Sequence, residues 1–256
     1  NMFDALFIHG NSSMNIKKTL AAQTDKGKQI INALYGLGTK DREKLGQGVY
    51  KKWGAAKQGF DIVSNQFSIH YFFSDNKTLN EFVRNCAESC KIGGYAIGTC
   101  YNGKKIFEKL KPKKKNESIY LIKNNKKIWE IKKLYEKMEM PNTTDCLGYA
   151  IEVYQESINK SFLEYLVNFD YFIELMSSYG FETLSRDECA DLNMPNSVGS
   201  FKELFDMMNV EKEKKQLNDN EVGQALDMDR FEKEISFLNN YFIFKKVRNV
   251  NIKNVY

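Results

Sequence analysis

Residues 60–99 constrain the fold more than any other part of the chain. Phe60-Asp-Ile-Val-Ser64 reads as a short apolar strand, and it runs straight into Gln66-Phe-Ser-Ile-His-Tyr-Phe-Phe73, a run of polar and aromatic side chains. From Asp75 to Cys90, residues Leu79, Phe82, Val83, Cys86 and Cys90 share one helical face, with Ser74 or Asp75 available as N-cap. Gly93-Gly94 stop that helix and open a second strand, Gly93-Gly-Tyr-Ala-Ile-Gly-Thr99. The pattern predicts one β-α-β unit with a polar, aromatic loop after its first strand. Ligands of open α/β sheets sit beyond the carboxyl ends of the strands, so residues 66–73 are where a site is expected.

With 42% hydrophobic and 28% charged positions in 256 residues, the chain can bury one core of ordinary size. Its apolar runs are broken by charge well short of the roughly 20 residues a membrane span needs, and no amino-terminal signal pattern appears. The expectation is a soluble cytoplasmic protein with no membrane partner. Cysteines 86, 90, 100, 146 and 189 form neither a disulfide ladder nor a zinc spacing, so they read as reduced apolar positions and no metal is expected.

The start of the chain, Asn1-Met-Phe-Asp-Ala-Leu-Phe-Ile8, begins almost inside a strand and without methionine at position 1. A nucleotide-binding α/β domain opens with a strand and a glycine-rich turn whose amides approach the ligand, and no such turn precedes Phe3. Gly36, Gly38, Gly46 and Gly48 follow a short helical segment in place of a strand, so they read as a loop. The expectation is an amino-terminally incomplete domain.

Further along, Gly103 to Leu110 reads as a short helix and Lys111 to Asn116 as a lysine-rich turn. Ser118–Ile122 and Lys127–Ile131 flank Asn124-Asn125 and predict a hairpin, which Gly148–Tyr154 extends. Ser161 is expected to cap a helix that carries Leu163, Leu166, Val167, Phe169, Ile173 and Met176 and ends at Gly180. Phe181–Leu184 and Phe237–Lys246 supply late strands, and the charged stretch Asn209 to Asp229 reads as an exposed helix or a mobile connection. Trp53 and Trp129 read as packing residues. A net charge of +5 and the cluster Lys104, Lys105, Lys109, Lys111, Lys113, Lys114 and Lys115 are compatible with an RNA partner.

Three segments, Gln66–Tyr71, Gly93–Thr99 and Glu164-Tyr-Leu-Val167, together resemble the mRNA cap (guanine-N7-)methyltransferase family. The wording of Gly98-Thr-Cys-Tyr-Asn-Gly-Lys-Lys105 and Glu164-Tyr-Leu-Val-Asn-Phe-Asp170 looks most like the capping enzymes of large cytoplasmic DNA viruses. The resemblance implies an α/β, Rossmann-like class I S-adenosylmethionine-dependent methyltransferase, amino-terminally incomplete, with an inserted β-rich and helical cap-binding region. On that reading residues 1–110 belong to the core, 111–160 to the inserted β region, and 161–256 to a helix, a charged insertion and the closing strands.

The implied activity is methyl transfer from S-adenosylmethionine to N7 of the 5′ cap guanine of mRNA, and the isolated fragment is expected to hold the cofactor poorly. Implied partners are the capped mRNA 5′ end, upstream triphosphatase and guanylyltransferase domains in the same polypeptide, and a stimulatory subunit. The implied location is the host cytoplasm, a viral factory or the virion. The rival reading is a catalytically inactive, methyltransferase-like partner or RNA-binding subunit.

Residue by residue, the resemblance assigns Gln66 and Tyr71 to S-adenosylmethionine. It assigns Phe67, His70 and Tyr71 to the wall shared with the guanine. Asn11, in Phe7-Ile-His-Gly-Asn-Ser-Ser13, stands where the family has an acidic residue facing the adenine amine, and an amide oxygen can also accept that bond. Glu164 matches the carboxylate that reads guanine: an acceptor-only group fits the adjacent N–H groups of the Watson–Crick edge. An aromatic position before that segment falls at Tyr154 or Val153, with Tyr154 the candidate. The family's last-strand tyrosine position falls on Asn239, with Tyr241 two residues on along the same strand face. No general base is expected, because N7 carries a free lone pair.

Overall fold

Three short helices open the part of the chain that the computed structural model describes, residues 5–251: Asp25–Leu34 (α1), Arg42–Leu45 (α2) and Gln47–Lys51 (α3). Gly36 and Gly46 make turns at φ +69° and +77°, but the segment read from the sequence as a loop also holds α2 and α3, and Gly48 lies within α3. The strand expected at the very start lies partly outside the described residues, and residues 5–8 form none.

Phe60–Gln66 (β1), Asn76–Ser89 (α4) and Cys90–Tyr101 (β2) then form the expected β-α-β unit, with β1 and β2 parallel. Asp75 is the N-cap of α4, its carboxylate accepting from the Thr78 amide at 2.9 Å. Leu79, Phe82, Val83 and Cys86 are buried, and β2 takes over at Cys90, earlier than the glycines suggested. Gly103–Leu110 (α5) follows at once, with Asn102 as its cap.

The hairpin is Ser118–Lys123 (β3) and Lys126–Lys133 (β4), closed by Asn124 and Asn125, both left-handed at φ +51° and +60°. That pair of left-handed residues matches the twist of the flanking strands. Ala150–Gln155 (β5) extends the hairpin on β4, as expected.

Lys160–Tyr165 departs from expectation, because it is a strand (β6) paired antiparallel with β5 and not the start of a helix. By strand pairing, the inserted sheet therefore extends to Tyr165. The helix begins at Phe169 (α6, Phe169–Ser178) and is capped by Asn168. Asn168 is fully buried, its Oδ1 accepting from the Asp170 and Tyr171 amides while its Nδ2 donates to Pro141 O and Asn142 Oδ1. All of its strong hydrogen-bonding capacity is used, which explains why the helix starts there.

The remaining elements are Phe181–Thr183 (β7), Arg186–Asp191 (α7), Val198–Ser200 (β8), Phe201–Glu213 (α8), Asp219–Val222 (α9), Arg230–Ser236 (α10) and Asn239–Lys246 (β9). The charged stretch Asn209 to Asp229 thus holds the end of α8, which has no buried residue, and the short α9, in which Val222 is buried. One sheet runs β1-β2-β9-β7, with β8 also on β9 and both β7 and β8 antiparallel to it; the other runs β3-β4-β5-β6. Each sheet has its own core. Leu79, Val83, Phe172 and Phe244 belong to the first, and Ile106, Trp129, Ile131 and Ile151 to the second. β2 serves both, because Cys100 packs into the first core and Tyr101 into the second.

Replacing Asn168 by alanine should destabilise the protein by roughly 2–4 kcal/mol, through the lost cap and the orphaned Pro141 carbonyl. Ser161→Ala should change stability by less than about 0.5 kcal/mol. Denaturant melts of the two variants check this, and equal losses would contradict the observed helix start.

Candidate active site

β1 ends because Phe67 is left-handed, at φ +49°, a conformation that bulky L-residues rarely adopt. Its amide donates to Thr99 O at 2.8 Å, which holds the turn against the end of β2. The ring stays about half exposed and meets Phe201, at the start of α8, edge-on at 6.1 Å. Strain of this kind costs of order 1–3 kcal/mol and persists where the surroundings over-determine it.

The chain then winds through a tight 3-10 turn, Ile69–Ser74. Ile69 and Phe73, four apart, are fully buried in the first core and act as anchors. Between them His70 is buried but faces a cavity, and Tyr71 is half exposed beside it, with the two rings 4.2 Å apart and edge-on.

That cavity, about 440 Å³, lies at the seam of the two sheets. Phe67, His70 and Tyr71 line it from the loop after β1, Cys100 and Tyr101 from the end of β2, and Phe162 and Glu164 from β6. Glu164 reaches it because side chains alternate along a strand: Phe162 and Glu164 share the cavity face of β6, as Val153 and Gln155 do on β5. Four of the residues singled out from the sequence, Phe67, His70, Tyr71 and Glu164, are thus brought together from segments almost a hundred residues apart.

The electrostatics of the pair His70–Glu164 are unusual. Both are nearly buried, yet neither ring nitrogen of His70 nor Oε2 of Glu164 has a hydrogen-bond partner among the described residues. His70 Nε2 lies 3.7 Å from Glu164 Oε1, too far for a hydrogen bond. Burial pushes the Glu164 carboxyl up to about 7 and the His70 imidazole down to about 4. A short ion pair is therefore not what holds them; near neutral pH His70 is uncharged and Glu164 titrates. Native proteins satisfy most buried polar groups, so two orphans facing one cavity mark a place built for a hydrogen-bonding ligand.

Of the other sequence candidates, Asn239 lines this cavity, and Gln66, Asn11, Tyr154 and Tyr241 do not. Gln66, at the end of β1, is exposed and does not line the cavity: its Oε1 accepts from Thr99 Oγ1 at 2.8 Å, and its Nε2 donates to Ser64 Oγ at 3.0 Å, leaving one amide hydrogen free. Asn11 is not part of the cavity wall, and its Oδ1 already accepts from the Ser13 amide and hydroxyl at 3.0 and 2.7 Å. Tyr154 is on the opposite face of β5 from Val153 and Gln155, with its hydroxyl on Asn159 and Lys127 over its ring. Strand alternation therefore removes Tyr154 from the cavity. Asn239 does line the cavity, whereas Tyr241 is buried elsewhere with its hydroxyl held by the Asn196 backbone. Besides Tyr71, the tyrosine that enters the cavity is Tyr101, which pairs with Asn239 across β2 and β9.

Tyr101, Gln155 and Phe162 were not singled out from the sequence. A period-two reading of residues 151, 153 and 155 was the available signal for Gln155. Four members of the lysine cluster sit within ion-pair distance of carboxylates, Lys104 with Asp170, Lys109 with Glu234, Lys111 with Glu108 and Lys115 with Glu136, which mutes its field. Trp129 is buried as packing, and its Nε1 donates to Tyr101 Oη. All five cysteines are free and buried. Among the described residues no helix is long and apolar enough to cross a membrane.

Comparison with known proteins agrees with this geometry. The chain is 30% identical over 270 residues to a probable mRNA-capping enzyme of Acanthamoeba polyphaga mimivirus, an alignment covering 94% of this chain and 22% of that protein. It is 31% identical over 135 residues to the mRNA cap guanine-N(7) methyltransferase of Saccharomyces cerevisiae, covering 49% of this chain and 29% of that one. The corresponding protein of Aspergillus niger is 35% identical over 81 residues, or 30% of this chain and 13% of its own length. The chain thus spans about a fifth of the mimivirus enzyme and less than a third of the two cellular ones. Residues 13–247 match the model of the mRNA (guanine-N(7))-methyltransferase domain, and the chain belongs to that family.

Proposed function

We propose that the protein transfers a methyl group to N7 of the guanine that caps mRNA. The observation that carries this reading is Glu164 Oε2 and the two ring nitrogens of His70, all without a hydrogen-bond partner among the described residues, side by side in an aromatic-walled cavity. Guanine presents two adjacent donors, N1–H and N2–H, and Glu164 offers two acceptor oxygens. Next to them is the O6 acceptor, to which neutral His70 has one N–H to give. Adenine would leave the carboxylate without its donors, and a site with unpaired buried polar groups rejects such an analogue strongly.

S-adenosylmethionine fits as the methyl donor on the chain's own residues. At the end of β1 Gln66 keeps a free amide hydrogen, Tyr71 presents its phenol to the cavity, and Asn65 Oδ1 is buried without a donor. Gln66 and Tyr71 would hold this group, whereas Asn11 lies outside the cavity wall with its Oδ1 taken by the Ser13 amide and hydroxyl. When bound, it supplies an electrophilic methyl carbon on a sulfonium. The protein's part is to orient. Glu164 and His70 fix the guanine edge, Phe67 and Tyr71 wall its faces, and N7 is left facing the methyl with its lone pair free. No proton leaves N7, so no base is needed. Alignment of this kind can contribute ~7–11 kcal/mol. The methylated base is cationic, and aromatic faces favour a cation by ~0.5–2 kcal/mol.

The substrate in full would be the capped 5′ end of mRNA, and a capping polypeptide of the kind the mimivirus relative represents would supply its guanylylated end, in the cytoplasm. Incubated in its natural polypeptide with labelled S-adenosylmethionine, the protein should methylate capped but not uncapped RNA, with the label at guanine N7. Glu164→Gln should lower kcat/KM for capped RNA roughly 10- to 100-fold, the range of one or two bonds to a charged group. No transfer by the wild type would overturn the proposal.

The same carboxylate has a cost in stability. Folding raises the Glu164 pKa from 4.5 to about 7, so the folded state holds the proton more tightly and stability falls as pH rises through that window. Above pH 7 the penalty is roughly 3 kcal/mol. Glu164→Gln should therefore raise the melting temperature by several degrees at pH 8 and leave it nearly unchanged at pH 4. His70 acts in the opposite direction, its folded pKa lying below 6.5, but it is common to both proteins and cancels from the comparison. Equal melting temperatures at pH 8 would show that Glu164 is not penalised by burial.

A further inference from the structure

We infer that Tyr101 and Gln155 form a second polar subsite, at the far end of the cavity from Glu164, which takes the ribose hydroxyls of the capping guanosine. The inference rests on the guanine reading above and extends it from the base to the sugar.

A volume of about 440 Å³ lies within the range of pockets that enclose a whole drug-sized ligand, so a bare base does not account for it. Its polar groups are not spread evenly. Glu164 pairs with Ile151 across β5 and β6, Phe162 pairs with Val153, and Lys160 pairs with Gln155. Gln155 is thus four residues along β5 from the rung of Glu164, or ~13 Å at strand rise. The Val153–Phe162 rung between them is apolar. The layout is a carboxylate end, an apolar floor wide enough for a purine, and an amide–phenol end. A nucleoside has the same order, with a polar base edge, a flat apolar ring face and a sugar bearing hydroxyls.

Hydrogen-bond counting at the amide–phenol end shows what it offers. Tyr101 Oη accepts from Trp129 Nε1 at 3.2 Å and from Gln155 Nε2 at 3.0 Å, which occupies both lone pairs. Its own proton is left to donate, and Gln155 Oε1 is left to accept. With the amide turned by half a rotation, Tyr101 donates to Oε1, and a phenol lone pair and amide hydrogens are left in exchange. In either arrangement the pair presents a donor and an acceptor together. A hydroxyl is both donor and acceptor, and it is the group such a pair fits. The buried Trp129 bond keeps the phenol oxygen in place.

The test is calorimetric binding of the full chain to three unmethylated cap dinucleotides of the form GpppA. One is the natural molecule, one lacks the 2′ and 3′ hydroxyls of the capping guanosine, and one carries hypoxanthine in place of guanine. The wild type should bind the dideoxy analogue ~10-fold more weakly than the natural one. In Gln155→Met and in Tyr101→Phe that ratio should fall to near 1, while the penalty for hypoxanthine stays at its wild-type value. A wild type that binds the natural and dideoxy forms equally, yet still discriminates against hypoxanthine, would overturn the inference and leave the guanine reading standing. A wild-type ratio retained in Gln155→Met would assign the pair a structural role only and overturn it as well. Absence of any hypoxanthine penalty in the wild type would overturn both readings.

Discussion

The site depends on a carboxylate held out of water whose Oε2 nothing among the described residues satisfies. Glu164 is buried on an inner strand face, its Oε2 has no partner among the described residues, and His70 Nε2 lies 3.7 Å from its Oε1 and is uncharged near neutral pH. A buried pair this close would ordinarily be drawn into a short ion pair, and here the sheet and the 3-10 turn keep it apart. The anchors of that turn, Ile69 and Phe73, and the rung between Ile151 and Glu164 belong to different cores. Neither partner can move toward the other without disturbing its own packing, and interiors at crystal-like density resist such shifts.

Two cores meeting along β2 make this arrangement possible. Cys100 and Tyr101 are consecutive residues facing opposite ways, one into each core, so the carboxyl end of β2 fixes the relation between the two sheets. The cavity opens where a parallel β-α-β unit ends against an antiparallel sheet. Gly103, whose amide donates to Val167 O at 2.9 Å, lets α5 approach the end of the second sheet closely, since a Cβ there would lie 2.5 Å from backbone atoms of Val167. The loop after β1 supplies aromatic walls and β6 supplies the reading group.

Much of the fold was legible locally. The β-α-β unit, the Asn124-Asn125 hairpin and β5 all follow from caps, turns and apolar period, which are short-range signals. The misplaced helix start at Ser161 has a physical cause. Lys160-Ser-Phe-Leu-Glu-Tyr165 alternates too weakly to announce a strand, and the feature that decides it, pairing with β5, is non-local. The same limit applies to the site. Phe67, His70, Tyr71 and Glu164 were found through the family resemblance of their segments, not through any spacing between them. Tyr101 carried no local sign of function, because it enters the cavity through the β2–β9 register that sets it beside Asn239. Tyr154 was on the wrong face by one residue, and a one-residue change of face reverses every assignment along a strand.

The central claim is that guanine completes the hydrogen bonding of Glu164, and proton linkage tests it most directly. A carboxyl with a pKa of about 7 is half protonated at pH 7, and two N–H donors on it would lower that pKa on binding. Titration of GpppA into the protein at pH 7, in buffers of different ionisation enthalpy, should show release of roughly half a proton per cap bound. In Glu164→Gln the release should vanish. Binding of the cap with no proton released, or release that persists unchanged in Glu164→Gln, would contradict the account.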